Sequence, residues 1–581
     1  MPGIAQTTPL RWTHTTLSEG KVGMGTAALG DKIIFFSGSR LIGGTTRELV
    51  AEAELFNVHT GEKQILPINS ASARIAASGV SVGSKFIFAG GDNGWATDKV
   101  DIYDTLTQLW STAQLSLDRY FISAVSLNGK ALFAGGSSKT EDRPVSNVDI
   151  YAYATDSWSV INLPQYENTP YRRNIGGIAY GNNAYFAGGV QGVYEDDNCK
   201  YVSVFNAQTN TWLSSISLSN KKTDICTGVY SGKIYFAGGT VLYHDEAFNY
   251  TGYPSDTMNV YDTLTGSMDA VKIPKLLYTY ASQFPNKRPW VRSVQAGCKM
   301  FLIPELAPFG GVDGVADTIA IYDMARNVWT FEALPNPRTT ITPIACLNKV
   351  YFAGGQNVIG NYNFRDDIDI YNLYPVLKTS VNNSFANTYD FGTIENNTHK
   401  QIAIKVSNEG DYDLLFDATA TYTLTGDLSV FSIDPSTLPG LSDTLAPAKI
   451  ISIPVLFQPL NSGNYNAVLT IKSNDPAMPV YSFHVSGSSS ADVPTAVISN
   501  VPAVSYIKLY PNPSKGIVTI ENMGEQNLTR AEIINPQGRL LKEIQLTGTE
   551  TTVDVSDLKQ GIYFVRLTDD KSFAVVKLVR D

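Results

Sequence analysis

Basic side chains recur at one offset along the first two thirds of this 581-residue sequence. Each stands 14 positions before the second aromatic residue, or its equivalent, of segments such as "KFIFAGG" and "KVYFAGG". The guanidinium fork of arginine binds carboxylates through two parallel hydrogen bonds, so a ring of such residues is a candidate well for a carboxylate or an acidic peptide. The candidates are Arg74, Arg119, Arg172, Lys222, Arg288 and Arg338, with Lys21 counted one residue out of step.

Aromatic residues in the long connections form a second candidate set. Flat aromatic side chains at a surface can stack on a sugar ring, and they serve equally well as apolar anchors that fix a loop. Both interpretations stay open for Trp95, Tyr194, Tyr243, Trp290 and Tyr362. Two acid-rich segments, "YEDDNC" and "GGVDGVAD", suggest calcium, but neither has a liganding spacing. We therefore predict no metal and no cofactor.

The elements that must position these residues are strands. The chain has 31 Tyr, 25 Phe and 47 Gly, which favours pleated strands and tight turns, and no long segment has helical periodicity. A strand that ends in Gly-Gly is followed by a loop and a second strand, and this unit occurs seven times, mostly 45 to 55 residues apart. The second strands begin near residues 54, 100, 148, 202, 258, 319 and 367.

These units resemble kelch repeats, in which Gly-Gly after an apolar strand precedes a Tyr and then a Trp. Here the aromatic pairs are Tyr103 with Trp110, Tyr151 with Trp158, Phe205 with Trp212 and Tyr322 with Trp329. The resemblance implies a seven-bladed propeller over residues 10–374, in which Trp12 completes the last blade. It also implies a structural alternative for the basic residues, as donors to carbonyl groups of neighbouring blades.

The two ends of the expected blades differ in loop length. The turns between first and second strands and between third and fourth strands are short, as in "LNGK" and "ATDS". The connections between second and third strands are long and varied, so we expect function at that end. A glycan or protein binding module is favoured over an enzyme, because no GxSxG motif, Cys/His pair or clustered carboxylates appear. A sugar isomerase or mutarotase-like activity on the propeller remains the alternative.

Residues 380–488 alternate between apolar and polar residues, as in "QIAIKVSN" and "NAVLTIKSND". With "FGTI", "SNEG", "FQP", "GNY" and "SNDP" in order, they resemble the immunoglobulin-like domain of abnormal-spindle and hydin-type proteins, also known as choice-of-anchor D. That family implies a β-sandwich used as a spacer or adhesion module. Residues 489–505 are rich in Ser, Pro and Ala and are expected to be a linker.

Residues 506–581 contain "YPNPSKG", "NPQGRLL" and "GIYFVRL" and resemble the type A C-terminal sorting domain of the type IX secretion system. The fold expected overall is therefore all-β, with a seven-bladed propeller followed by two immunoglobulin-like sandwiches. The resemblance implies a Bacteroidota source, a Sec signal that this chain does not include, the secretion machinery and a surface sortase as partners, and release or attachment to lipopolysaccharide. The family landmarks match Pro511, Pro513, Gly516, Gly538, Arg539, Gly561 and Lys577.

Charge and cysteine content bear on three further properties, which are nucleic-acid binding, membrane insertion and disulfide bonding. The net charge of −10 argues against nucleic-acid binding, and no apolar stretch of about 18 residues is present. The four cysteines lack CxxC spacing. Since export implies an oxidising compartment, Cys199 and Cys226 are expected to be a possible disulfide pair.

Overall fold

The computed structural model describes most of the chain as strands and turns. The described residues are 10–44, 46–166, 170–191, 198–244, 250–274, 289–306, 316–357, 363–416, 422–433, 444–490, 507–523, 528–536, 539–568 and 573–581. The chain divides into two compact units, and the first contains residues 1–391, 400–457 and 465–486. Among the described residues the fold is all-β, and no helix there is long and apolar enough to cross a membrane.

Seven antiparallel sheets fill the described part of residues 10–374, and we number them in chain order. Sheet 1 has strands Gly25–Leu29, Lys32–Phe36, Glu52–Asn57 and Lys63–Pro67. Sheet 2 has Ser78–Val82, Lys85–Ala89, Thr97–Asp104 and Leu109–Arg119. Sheet 3 has Ser123–Leu127, Lys130–Ala134, Asn147–Ala152 and Ser157–Asn162. In sheet 4, Gly176–Tyr180, Asn183–Ala187 and Tyr201–Asn206 are followed by Thr211–Trp212 and Ile216–Ser217, which both pair with the third strand.

The last three sheets follow the same plan. Sheet 5 has Cys226–Tyr230, Lys233–Ala237, Thr257–Asp262 and Met268–Lys272. Sheet 6 has Pro289–Ala296, Lys299–Leu306, Ala316–Asp323 and Val328–Arg338. Sheet 7 has Thr342–Cys346, Lys349–Ala353 and Asp367–Asn372, and its fourth strand is the N-terminal Trp12–Thr16. In that pairing Trp12 lies opposite Tyr371, the position that a Trp and a Tyr also share in sheets 2, 3 and 6.

Within the described residues, the connection between second and third strands carries an extra two-stranded hairpin in four sheets. These hairpins pair Ser39–Ile42 with Thr46–Leu49, Ser137–Ser138 with Arg143–Pro144, Thr240–His244 with Tyr250–Pro254, and Gln356–Asn357 with Asn363–Phe364. The described 3₁₀ turns are Ser70–Ser72 and Tyr153–Thr155. The long connections therefore build ordered structure at one end of the sheets, and the short turns lie at the other end.

Neighbouring sheets contact each other through their first strands. Contacts run from sheet 1 to sheet 7 in order, and the first strand of sheet 7 contacts that of sheet 1. The Ser78 hydroxyl donates to the Ile122 carbonyl at 2.8 Å, and the Cys346 Sγ lies 3.3 Å from the Gly30 carbonyl oxygen. Apolar side chains fill the space between consecutive sheets, as where Phe36 stacks on Phe88 with ring centroids 4.4 Å apart.

The Gly-Gly pairs of sheets 2, 3, 4 and 7 each bond to the following sheet. The N–H of Gly91 donates to the Arg119 carbonyl at 2.9 Å, and the N–H of Gly355 donates to the Lys21 carbonyl at 3.0 Å. Both glycines of these pairs have positive φ, for example +63° and +109° at Gly90 and Gly91. A Cβ on Gly90 would overlap the carbonyl oxygen of Arg119. Glycine is needed here because another backbone occupies the place of its side chain.

Two further sandwiches follow the seven sheets. In the immunoglobulin-like domain one sheet orders Ser384–Phe385, Leu377–Val381, Lys400–Asn408, Ile450–Phe457 and Phe431–Ser432. Its other sheet orders Thr388–Glu395, Val480–Ser490, Gly463–Lys472 and Tyr422–Gly426, and Leu414–Leu415 pairs with Thr444–Leu445. Phe391 and Phe431 pack on Phe457, with centroids 5.3 and 4.7 Å away.

The C-terminal domain has a three-stranded and a four-stranded sheet. They order Ile507–Tyr510, Ile517–Asn522 and Glu550–Asp554, and Leu540–Gln545, Arg530–Ile534, Gly561–Thr568 and Phe573–Arg580. Buried residues of both sheets, including Val518, Ile533, Val565 and Leu578, form one core. The alternation of apolar and polar residues along these strands accounts for a core that is enclosed on one face of each sheet.

Replacement of Gly90 by alanine is expected to destabilise the seven-sheet region more than replacement of Gly30. Both glycines have φ near +60°, but a Cβ on Gly30 meets no atom within 4 Å. Gly30→Ala should therefore cost only the left-handed strain of about 1–2 kcal/mol, and Gly90→Ala about 2–4 kcal/mol. Urea unfolding followed by tryptophan fluorescence measures both. Equal shifts of the two midpoints would contradict a glycine requirement set by the neighbouring sheet.

Candidate functional site

The described members of the recurring basic set lie inside the protein, just before the first strands of sheets 1, 2, 3, 4, 5 and 7. Arg74 is 0% exposed. Its Nε donates to the Gly90 carbonyl at 2.6 Å, its Nη2 donates to the Phe88 carbonyl at 2.9 Å, and its Nη1 pairs with Asp101 at 2.6 Å. Asp101 is on the third strand of the same sheet, so this one side chain fixes the entering chain to the second and third strands.

The same contacts recur in other sheets with changes in the third-strand partner. Arg119 pairs with Asp149 and Arg338 with Asp369, whereas Arg172 donates to the hydroxyl of Ser203. Burial lowers the pKa of the Arg74 and Arg119 guanidinium groups, and the facing Asp carboxylates oppose that shift. The exposed fraction is at most 1% for the whole set, which is Lys21, Arg74, Arg119, Arg172, Lys222 and Arg338.

Lys21 is in step with the other members of this set, so the count that put it one residue out was wrong. Its carbonyl accepts the N–H of Gly355, as the Arg119 carbonyl accepts that of Gly91. The error arose because Phe36 occupies the position of Ala89, as their pairing with Gly25 and Ser78 shows, so the matching aromatic residue of sheet 1 is Phe35. Arg288 lies outside the described residues. For the described basic residues, burial and bonds to groups of the protein itself favour the structural alternative over a carboxylate well.

A different group of side chains lies at the hairpin end, around residues 137–144 of sheet 3. Trp95, from the long connection of sheet 2, is 66% exposed, and the Lys139 Nζ lies 5.6 Å from its ring centroid. The Arg143 guanidinium lies 4.4 Å from the ring centroid of Tyr171. We call this group the hairpin surface, and it comprises Trp95, Tyr120, Phe121, Lys139, Arg143, Tyr171 and Arg173.

Asp118 holds the 137–144 hairpin in place. Its carboxylate accepts the Ser138 hydroxyl and the Lys139 N–H, both at 2.9 Å. Burial disfavours its ionisation, but hydrogen bonds from Thr140, Lys139 and Ser138 outweigh that cost and keep the pKa of Asp118 below its ordinary value. The carboxylate is therefore ionised at neutral pH, and the hairpin backbone that carries Lys139 and Arg143 has a fixed anchor.

The residues that follow each basic residue reach the same end of the sheets. Tyr120, next to Arg119, forms an isolated bridge with Ser137, and Arg173, next to Arg172, forms one with Val190. Tyr120 and Phe121 contact each other with ring centroids 4.6 Å apart, and the Arg173 Nη1 lies 3.4 Å from the Ser137 hydroxyl. Sequence reasoning missed these residues. The available signal was their fixed place one and two positions after a buried arginine.

Only part of the predicted aromatic set can be placed. Trp95 is exposed, as a ligand-stacking residue requires. The backbone of Tyr243 is in a hairpin strand and that of Trp290 in the first strand of sheet 6, but their side chains are not among those described. Tyr194 and Tyr362 lie outside the described residues, as does most of both acid-rich segments.

The expected pairing of Cys199 with Cys226 is wrong, because all four cysteines are free and buried. The Cys199 Sγ faces the Arg172 guanidinium at 4.0 Å within sheet 4. Cys226 begins sheet 5, where its Sγ lies 3.8 Å from the Val291 carbonyl oxygen of sheet 6. The two thiols contact different neighbours. Burial raises the pKa of Cys226 to about 12, so that thiol stays protonated.

The predicted sorting landmarks lie in turns and strands of the C-terminal domain. Pro511 and Pro513 follow cis peptide bonds, and the Asn512 side chain between them donates to the Lys577 carbonyl at 2.6 Å. Gly516 precedes the strand Ile517–Asn522, and Gly561 begins the strand Gly561–Thr568 with a φ of +156°. The N–H of Arg539 donates to Asn535 at 2.9 Å, and Gly538 lies outside the described residues.

Comparison with known families identifies the two C-terminal domains. Residues 508–580 match the secretion system C-terminal sorting domain, and residues 383–488 match the HYDIN/CFA65/VesB-like, Ig-like domain. These matches confirm both resemblances. The sorting domain is that of the type IX system, so the protein is exported by that machinery to the cell surface or secreted. No kelch repeat is detected, and no curated protein matches the chain.

Lys222 provides a pH test of the buried basic positions. Burial lowers its pKa from 10.5 to about 7, although its Nζ donates to the Thr257 carbonyl at 2.8 Å. Between pH 7 and pH 10 the unfolded chain binds a proton that the folded chain has released, so the free energy of unfolding should rise with pH. Relative to Lys222→Met, the wild type should gain on the order of a few kcal/mol over this interval.

Thermal unfolding at pH 7, 8.5 and 10 measures that difference. Lys63→Met, at an exposed lysine in sheet 1, is the control and should keep a constant offset from the wild type. A constant offset for Lys222→Met as well would show that the carbonyl groups hold the proton on Lys222.

Proposed function

We propose that this exported protein is a binding module whose seven sheets close into a kelch-type, seven-bladed β-propeller and whose hairpin surface binds a carbohydrate. The exposed ring of Trp95 beside Lys139 is the observation that carries the ligand class. The propeller supplies a rigid support, and the hairpins at one end of it supply variable side chains.

Closure of the ring is supported by contacts at its seam, by which we mean sheet 7 and its junction with sheet 1. The N-terminal strand is the fourth strand of sheet 7, so residues from both ends of the region share one sheet. The Gly355 N–H to Lys21 carbonyl bond is the same bond that joins sheets 1 to 5 in order. A ring closed in this way leaves no sheet without a neighbour on either face, which suits units too small to enclose a core alone.

The carbohydrate class follows from the chemistry of the hairpin surface. Trp95 has an open aromatic face, and the hairpin and its neighbours add the phenol of Tyr171 and the cationic groups of Lys139, Arg143 and Arg173. Aromatic rings with a polar edge offer both stacking area and hydrogen bonds. Lys139 and Arg143 are each paired with a nearby acid, Asp142 and Glu141, so the surface is suited to a neutral or weakly charged sugar more than to a polyanion.

The buried arginines give no support to a sugar-active enzyme that uses them. Arg119 and Arg338 are 0% exposed and bonded to carbonyl and carboxylate groups of the protein. A substrate that reached them would have to displace those bonds, which would leave buried acids unpaired. A binding role therefore has more support than the isomerase alternative.

The sorting resemblance adds a proposal about processing. We place the cut by a surface sortase in the linker 489–505, most of which lies outside the described residues. The product would hold the seven sheets and the immunoglobulin-like domain, either released or attached to lipopolysaccharide.

Replacement of Trp95 is expected to weaken glycan binding about five- to tenfold. The loss of one stacked aromatic corresponds to about 1–1.5 kcal/mol, and tenfold to about 1.4 kcal/mol. The full chain is screened on a glycan array, and the best ligand is then titrated by calorimetry against the wild type and Trp95→Ala.

Phe385→Ala is the matched control, because Phe385 is also exposed, at 73%, but belongs to the immunoglobulin-like domain. It should bind like the wild type. Absence of any glycan ligand, or equal affinity of Trp95→Ala and wild type, would overturn the carbohydrate proposal. An equal loss of glycan affinity in Trp95→Ala and Phe385→Ala would show that the ligand does not bind specifically at the hairpin surface.

A further inference from the structure

Sheet 7 differs from the other six sheets because no turn joins its third strand to its fourth. The third strand ends at Asn372, and the fourth begins at Trp12, some 360 residues earlier in the chain. In sheet 3 the corresponding strands are joined by the short turn Tyr153–Thr155 and Asp156. The seam of the region is therefore held without a covalent link at this point.

In sheet 3 that turn also binds a lysine side chain from the preceding sheet. The Lys85 Nζ, at the start of the second strand of sheet 2, pairs with Asp156 at 2.7 Å and donates to the Tyr151 hydroxyl at 2.7 Å. Lys130 of sheet 3 makes the same kind of contact, with the Ala207 carbonyl of sheet 4 at 2.7 Å. A lysine at the start of a second strand thus binds the turn between third and fourth strands of the next sheet.

Lys299 has this position in sheet 6, and its partner comes from the immunoglobulin-like domain. The Lys299 Nζ lies 3.0 Å from the Asp411 carboxylate. The same carboxylate pairs with Arg11, the residue just before the N-terminal strand. Arg11 in turn donates to the Asn372 carbonyl at 2.9 Å, and the Asp411 N–H donates to the Tyr374 carbonyl at 2.8 Å. Asp411 therefore contacts both strand ends that a turn would join.

Asp411 is buried, and other residues of the immunoglobulin-like domain contact sheets 5, 6 and 7. Asp411 is 8% exposed. The Arg326 Nη2, from the short turn of sheet 6, donates to the Gly410 carbonyl at 3.0 Å, and Tyr412 packs on the apolar cluster that contains Trp12. A Cβ on Gly410 would overlap the Tyr374 carbonyl oxygen, so only glycine allows this close approach. Tyr230 of sheet 5 adds a bond to the Pro447 carbonyl at 3.2 Å.

We infer that residues 408–413 of the immunoglobulin-like domain are a clasp that completes sheet 7. The clasp takes the place of the missing turn between the third and fourth strands of sheet 7. Its Asp411 also takes the role that Asp156 has in sheet 3, because it binds Lys299 of the preceding sheet. The domain is thus a structural part of the seven-sheet region and closes its seam, beyond any role as a spacer. Because the clasp is at the short-turn end, the hairpin surface stays open at the other end.

Loss of the clasp should loosen the N-terminal strand selectively. In the full chain, Asp411→Ala is expected to raise the hydrogen-exchange rate of the amides in Trp12–Thr16 at least tenfold. Exchange in the second strands Lys85–Ala89 and Lys130–Ala134, and in Ile450–Phe457 of the immunoglobulin-like domain, should stay unchanged, which verifies that both parts of the variant are folded. Lys299→Met keeps the contact between Asp411 and Arg11, so it should raise the exchange rate in Trp12–Thr16 by a smaller factor. This variant replaces Asp411→Ala in the test if Asp411→Ala does not fold.

Asp156→Ala is the matched control, since it removes the equivalent acid where a covalent turn remains. It should change exchange in Ser157–Asn162 less than threefold. An effect of Asp411→Ala on Trp12–Thr16 no larger than that of Asp156→Ala on its own strand would overturn the clasp. Unchanged exchange in Trp12–Thr16 for both Asp411→Ala and Lys299→Met would do the same.

Discussion

The seven-sheet region depends on one repeated interaction, a buried basic residue that bonds in two directions. Its side chain binds the carbonyl groups at the end of the second strand and a polar group on the third strand of its own sheet, as Arg74 does with Phe88, Gly90 and Asp101. Its backbone carbonyl accepts the N–H of a glycine from the sheet before. Since a buried charge is stable only when it is paired and hydrogen-bonded, the arrangement stabilises the geometry of the sheets in which both bonds form.

This interaction also determines where the hairpin surface can form. The residue after each buried basic residue is bridged to the residue after the Gly-Gly pair, so Tyr120 meets Ser137 and Arg173 meets Val190. The hairpin that carries Lys139 and Arg143 starts from that bridge, and Asp118 anchors it. The charged groups that first suggested a binding well thus serve as the support, and four members of the hairpin surface follow or precede them in sequence, namely Tyr120, Phe121, Tyr171 and Arg173.

The immunoglobulin-like domain and the sorting domain add two separate properties. The sorting domain assigns the protein to type IX export and therefore to the cell surface or the extracellular medium. The immunoglobulin-like domain places Asp411 among Arg11, Lys299 and the end of sheet 7. Export is thus encoded after the repeat region, and a segment without repeats also contacts the junction between Trp12–Thr16 and sheet 7.

The sequence alone determined the strands, the seven units, the partnership of Tyr103 with Trp110, and both C-terminal families, because period-two alternation, Gly-Gly turns and family motifs are local properties of a chain. Only the tertiary structure decided that Arg119 is buried against Asp149, that Cys199 and Cys226 have different neighbours, and that Lys139 lies over Trp95. It also decided the contact of Asp411 with Arg11, 400 residues apart. Which polar groups satisfy each other depends on the distances that folding creates between remote segments, and no local pattern records those distances.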